Sequence, residues 1–146
     1  MDVTFTSYSP ENRNECLALF DLNCPEYFAP NERKDYENFL VSKPAGYEVC
    51  VYEKGVAGAF GLFKDMNGHC RLDWILLNPN AQGIGIGSII MDRVIAQAKN
   101  YGADQILIAT SHKADRFFEK KGAVKLSETK DGWGPDMHRI DMVINL

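Results

Sequence analysis

The segment that most restricts the fold is Asn78-Pro79-Asn80-Ala81-Gln82-Gly83-Ile84-Gly85-Ile86-Gly87-Ser88, with three glycines at alternate positions. Before it, Arg71 to Leu77 reads as a strand that stops at Asn78-Pro79. After it, Ile86, Ile89, Ile90, Val94 and Ala98 recur at helical spacing from about Gly85 to Asn100, and Gly102 ends the run. In a strand-turn-helix of this kind the first helical amides have no intrahelical partners and lie at the positive end of the helix dipole. The glycines remove the Cβ atoms that would hold a ligand off the backbone. The expected occupant is a phosphate or pyrophosphate.

Two familiar phosphate sites fit poorly. A P-loop needs Lys-Ser or Lys-Thr after its second glycine, and Gly87-Ser88 has no lysine. A dinucleotide fingerprint is spaced G-x-G-x-x-G, whereas Gly83, Gly85 and Gly87 give G-x-G-x-G. Asp104 falls at about the right distance for the ribose-binding acid but begins the next strand instead of ending it. A third reading keeps the turn without a ligand, its glycines serving only close helix–strand packing.

The rest of the chain supplies the elements around this turn. Val3 to Thr6 reads as a short strand, and Ser9-Pro10-Glu11 opens a helix carrying Cys16, Leu19 and Phe20 on one face. A loop from Asn23 to Pro30 follows, then a second helix from about Asn31 with Tyr36, Phe39 and Leu40 together. Tyr47 to Tyr52 and Val56 to Phe63 form a hairpin about Lys54-Gly55. Beyond the long helix, Gln105 to Ala109 is an apolar strand and Lys113 to Lys121 a short helix ended by Gly122. Strands Ala123 to Glu128 and Met137 to Leu146 flank the turn Asp131-Gly132-Trp133-Gly134-Pro135. The order β-α-α-β-β-β-α-β-α-β-β predicts an α/β (α+β) fold, a mixed sheet with helices on both faces, in one domain spanning residues 1–146.

Charge and cysteine content narrow the function classes. The net charge of −4 does not indicate a nucleic-acid partner. The one basic cluster, Lys113, Arg116, Lys120 and Lys121, is either a solvated helix face or a positive rim for a phosphorylated ligand. Cys16, Cys24, Cys50 and Cys70 form no C-x-x-C pair, and His69, His112 and His138 add no ligand pairs, so no metal is expected and the thiols are read as reduced. The N-terminal residues have no basic segment followed by an apolar one, and the longest apolar stretch, Val56 to Phe63, is too short for a bilayer. A cytoplasmic protein with no membrane partner is expected.

Gln82-x-x-Gly85-x-Gly87 resembles the acyl-CoA-binding signature Q/R-x-x-G-x-G/A of the GNAT superfamily of N-acetyltransferases. Asn78-Pro79 stands where that superfamily often has a strand-ending residue and proline. Ala114-x-x-Phe117-Phe118-Glu119-Lys120-x-Gly122 is similar to its second signature, A-x-x-F-Y-x-K-x-G-F. The order of elements also follows the superfamily along nearly the whole chain. Ala109-Thr110-Ser111 and Asp131 to Pro135, with His138 to Met142, further resemble a subgroup of uncharacterised bacterial members.

The resemblance implies a mostly antiparallel sheet of about seven strands with four helices, splayed between strands 4 and 5. It implies acetyl-CoA as co-substrate. Backbone amides from Gln82, Gly83, Ile84, Gly85, Ile86 and Gly87, with Ser88, would hold the pyrophosphate, while Leu76, Leu77 and Asn78 would line the pantetheine arm. Ser111 takes the place of a common asparagine and Phe118 that of a common tyrosine general acid. Phenylalanine cannot donate a proton, but a thiol of pKa about 8.5 leaves fairly well without one. The acceptor would be a small-molecule or peptide amine, and the protein a monomer or homodimer.

Candidate catalytic residues follow from the needs of acyl transfer to an amine: a base for the ammonium, a donor for the carbonyl and a proton for the leaving thiolate. Asp73 is either the base or an ion-pair partner of Arg71, and Asp141 beside Arg139 has the same ambiguity. Ser111 is a proton donor or a helix cap, and His112 a donor or an exposed first-turn residue. Tyr27, Phe28 and Trp133 are expected to line an acceptor pocket, with Glu26, Glu32 and Asp136 as nearby acids suited to a cationic amine. Three readings therefore stand: an active N-acetyltransferase, a non-catalytic acyl-CoA-binding module and a domain whose glycine turn is only structural.

Overall fold

A computed structural model describes residues 2–65, 67–81 and 85–146. The elements run β1 (Val3–Ser7), α1 (Arg13–Asn23), α2 (Glu32–Val41), β2 (Tyr47–Tyr52), β3 (Gly55–Lys64), β4 (Cys70–Leu77), α3 (Ile86–Asn100), β5 (Gln105–Ser111), α4 (Asp115–Glu119), β6 (Val124–Gly134) and β7 (Met137–Asn145). The seven strands form one sheet in the order β1-β2-β3-β4-β5-β7-β6. Every neighbouring pair is antiparallel except β4 with β5. This is the mixed α+β architecture that the sequence implies, with four α-helices among the described residues.

Each sheet face carries its own core. On one face α1 and α2 bury Cys16, Leu19, Phe20, Tyr36 and Leu40 against Tyr47, Val49, Ala59 and Leu76. On the other, Ile86, Ile90, Met91, Val94 and Ala98 of α3 pack with Phe118 of α4 on Cys50, Phe60, Leu72, Ile106 and Ile108. The alternation of a two-sided sheet explains why Val49 and Cys50, adjacent in sequence, belong to different cores. Cys16, Cys50 and Cys70 are free and buried, small hydrophobes as their settings predict.

Element boundaries shift where local chemistry overrides periodicity. The helix expected from Ser9 starts as a 3-10 turn over Pro10–Asn12, because Asn12 Oδ1 accepts the Ser9 N–H at 3.0 Å and holds the entry tight. On α3 Met91 is buried where Ile89 was expected and Ile89 is only half-buried. Strand β5 continues two residues past Ala109 to Ser111, paired throughout with β7. Strand β6 does not stop at Glu128 but continues to Gly134 through an irregular register, so Trp133 lies on a strand end and not in a free turn. The short helix is confined to Asp115–Glu119.

Two irregularities shape the middle of the sheet. Strand β4 pairs with β5 only over Cys70–Leu72 against Ile106–Ile108, so beyond Leu72 the two strands part. In the same stretch Ala59 opposes Leu76 and Gly61 opposes Asp73, leaving Trp74 and Ile75 opposite Phe60 alone. That β-bulge bends β4 and places Trp74 at φ 49°, a backbone region costly for a bulky side chain.

Candidate functional site

The parting of β4 and β5 opens a cavity of 640 Å³, within the usual range for small-molecule sites. Gly85, Gly87 and Ser88 at the head of α3 form one part of its wall. Leu76, Leu77, Ile108 and Phe118 line the cleft, and Tyr27, Phe28, Trp74 and Trp133 also border it.

At the head of α3 the glycines have separate causes. Gly85 stands at the helix N-cap with φ 90°, a conformation that L side chains rarely adopt. A Cβ on Gly87 would lie 2.8 Å from the Phe117 ring and 3.0 Å from Leu77, so its missing side chain serves packing between α3, α4 and β4. The Ile86 side chain is buried in the core, which leaves its backbone as the part available to a ligand. Lys121 hydrogen-bonds the Ser88 hydroxyl and lies 3.6 Å from Asp92, so one member of the basic cluster reaches the helix head. Lys113 also lines the cavity, while Arg116 and Lys120 are exposed. Gln82, Gly83 and Ile84, the remaining residues expected to hold the pyrophosphate, lie outside the described residues.

Along the cleft, the β4 backbone presents a free edge. Asn78 donates its N–H to the Ala57 carbonyl at 2.8 Å, so strand alternation turns the backbone polar groups of Leu77 away from β3 and toward the parting. The Leu77 carbonyl is met there by Asn23 Nδ2 at 2.8 Å, and the same amide donates to Leu19 at 2.7 Å. Asn23, only 4% exposed, thus ties α1 to the end of β4. In the sequence Asn23 marks only a loop boundary, because its partner Leu77 is 54 residues away.

The bulge is held from below. Tyr47 Oη donates to the Trp74 carbonyl at 2.7 Å, and the Tyr36 hydroxyl lies 2.8 Å from Tyr47 Oη. Burial raises both phenols far above their ordinary pKa, so they act as neutral donors. Periodicity marks Tyr36 and Tyr47 as core residues and gives no sign of this hydrogen-bonded pair.

The expected catalytic residues are distributed as follows. Asp73 borders the cavity and is held by Arg71, whose Nε lies 2.8 and 2.9 Å from its two carboxylate oxygens. Asp141 is paired in the same way with Arg139. Ser111 is 4% exposed, lines the cavity and accepts the Lys113 N–H at 3.2 Å, a local turn rather than the cap of α4, which begins after Ala114. The His112 ring accepts the His138 N–H through Nδ1 at 3.1 Å, and the two rings lie tilted against each other with centroids 4.5 Å apart. Phe118 is buried between the core and the cavity.

The expected acceptor residues come together around one region. Phe28 stacks on Trp74 at 6.1 Å, and Trp133 donates its indole N–H to the Thr110 carbonyl at 2.8 Å beneath the Arg139 guanidinium. Asn31 Nδ2 donates to the Trp133 carbonyl at 2.8 Å, which joins the start of α2 to β6. Of the three acids named with this region, Glu32 alone is buried, at 5% exposure, and it lines the cavity. One of its oxygens, Oε2, accepts the Ala29 N–H at 2.7 Å. Burial, only partly offset by that hydrogen bond, raises its carboxyl pKa to about 7.

Comparison with known proteins agrees with the fold. Ard1 from Thermoplasma volcanium superimposes with a TM-score of 0.83 at 15% identity, covering 100% of this chain and 99% of that one. The ribosomal-protein-S18-alanine N-acetyltransferase from Escherichia coli gives 0.78 at 14%, over 99% and 94% of the two chains. An aminoglycoside 6'-N-acetyltransferase complexed with coenzyme A gives 0.74 at 14%, over 99% and 97%. At these identities the likeness is one of fold. A comparison with curated proteins found no match. The model of the acetyltransferase (GNAT) family matches residues 16–123, from α1 through the end of α4 and including both signature segments, and the chain therefore belongs to the GNAT family of acetyltransferases.

Proposed function

We propose that this acetyltransferase moves an acetyl group from acetyl-CoA to a primary amine by direct attack, with donor and acceptor held together in one cavity. The observation that carries the reading is the continuity of that cavity. It joins the head of α3, the unpaired edge of β4 and an aromatic region holding a buried carboxyl. An elongated ligand with an anionic bridge fits this arrangement, and coenzyme A in the aminoglycoside acetyltransferase complex supports the choice.

Each part of the chain has a task in this reading. The first amides of α3, Ser88 and Lys121 would receive the pyrophosphate, where helix dipole and ammonium both favour negative charge. The Leu77 N–H, aimed at the cleft, would donate to the acyl oxygen as negative charge develops on it. Bound acetyl-CoA supplies a thioester carbonyl open to attack. Phe118 excludes water at that point but offers no proton, so the thiolate leaves without help from this position.

Calorimetry with acetyl-CoA, followed by measurement of free thiol with a panel of primary amines, tests the proposal. Binding with amine-dependent thiol release is expected. Binding without release from any amine favours the second reading, an acyl-CoA-binding module, for which Phe118 in place of a tyrosine is the supporting observation. No binding removes both.

A further inference from the structure

The buried Glu32 carboxyl is a candidate for chemistry as well as for structure. One oxygen closes a reciprocal turn with Ala29: the Ala29 N–H donates to Oε2 at 2.7 Å, and the Glu32 N–H donates to the Ala29 carbonyl at 2.9 Å. That is the work of a helix-capping carboxylate, and glutamine performs it equally well. It leaves Oε1 without a protein hydrogen-bond partner among the described residues, on a side chain that lines the cavity. The residue is only 5% exposed, so a carboxyl with one oxygen open to the cavity and no cationic side chain bonded to it would gain from a cationic ligand there.

The surroundings indicate what such a ligand would be. Tyr27, Phe28, Trp74 and Trp133 border the same cavity, offering flat apolar faces that favour an aromatic or planar hydrocarbon body and attract an ammonium group. Asp35 on the same helix, Cys24 and Tyr27 in the preceding loop, Asp73 on β4, Lys113 after β5 and Arg139 over Trp133 are the titratable and charged groups nearby. Asp73 is already neutralised by Arg71, and Arg139 by Asp141. Of the two carboxyls that line the cavity among the described residues, Glu32 and Asp73, only Glu32 has no cationic side chain bonded to it.

We propose that Glu32 takes the proton from the acceptor amine, and that the acceptor is a monocationic primary amine carried on a flat, apolar body. The inference rests on the acetyl-transfer reading above. The incoming ammonium gives one proton to Oε1 of Glu32. The freed amine nitrogen bonds to the acyl carbon as the carbon–sulfur bond breaks, its second proton leaves with the sulfur as the thiol, and Glu32 returns its proton to solvent. A carboxyl with pKa about 7 is suited to this exchange near neutral pH.

The test compares wild type with Glu32→Gln, which keeps the Ala29 hydrogen bond but cannot take a proton. Phenethylamine and tryptamine serve as acceptors, with spermidine as a polycationic control. Acetyl-CoA affinity by calorimetry and melting temperature should match or exceed those of wild type. Turnover with phenethylamine should fall ~100-fold or more, and the rise of kcat/KM through about pH 7 should disappear. In parallel, the Glu32 carboxyl carbon is followed by NMR in the absence of acetyl-CoA, and saturating phenethylamine should lower its titration midpoint. A variant with the wild-type pH profile, spermidine preferred over both aromatic amines, or a Glu32 midpoint indifferent to phenethylamine overturns the proposal. Wild-type protein that fails to bind acetyl-CoA overturns instead the reading on which it rests.

Discussion

At the scale of single residues, the middle of the molecule depends on polar groups buried for a reason. Trp74 holds a backbone conformation unfavourable to its own side chain, and its carbonyl accepts a hydrogen bond from Tyr47 that favours this geometry. Replacing Tyr47 with phenylalanine leaves the part-buried Trp74 carbonyl and the buried Tyr36 hydroxyl without this partner. The expected loss is about 1–3 kcal/mol in a urea titration, together with reduced turnover. Unchanged stability would mean that the bulge is held by packing alone.

Glu32 makes a second prediction at this scale. Its folded-state pKa of about 7 lies above the ordinary 4.5, so between these values the native state holds more protons than the unfolded chain. Stability associated with the protonated form is complete below pH 4.5, declines as pH rises and is lost above about 7. Glu32→Gln has no such dependence. Its urea midpoint should therefore exceed that of wild type by a wider margin at pH 8 than at pH 5, and an equal margin at both would exclude the burial penalty.

At the scale of elements, the turn into α3 shows that glycines in one motif answer to different demands. The sequence treats Gly83, Gly85 and Gly87 alike, as bare backbone for a ligand. The structure assigns Gly85 to a left-handed conformation and Gly87 to the approach of Phe117 and Leu77. Gly85→Val should weaken acetyl-CoA binding severely, and it should also cost about 1–3 kcal/mol of stability, because a branched residue is strained at φ 90°. A variant that folds as well as wild type and binds normally would show that the head of α3 is not the pyrophosphate site. Strand β6 gives the complementary lesson: its outward-facing sequence carries little hydrophobic pattern, so its extension to Gly134 follows from pairing with β7 and not from local preference.

At the scale of the whole molecule, the cavity forms because two halves of one sheet share only three residue pairs between β4 and β5. A ligand bridging that parting would tie the halves together and stabilise the native state by linkage. Acetyl-CoA at one hundred times its dissociation constant should add about 2.7 kcal/mol, or about 5–10 °C in melting temperature. No shift at saturating concentration would argue against the cleft as its site. The same parting brings Asn23, Glu32, Trp74 and Trp133 around one space, although they are distant in sequence.

What the amino-acid order alone determined was local and periodic: the strand-glycine-helix turn, the apolar faces of α1, α2 and α3, and the two signature segments that carry the family. These were legible because helix dipoles, glycine backbones and hydrophobic spacing act within a few residues of one another. Only the tertiary structure decided whether Asp73 is ion-paired, that Tyr47 supports a strained tryptophan, and that Glu32 is the buried acid of the cavity. Each of those outcomes depends on burial and on partners brought from other strands and helices, and a carboxyl written in the sequence has the same formula whether it lies in water or out of it.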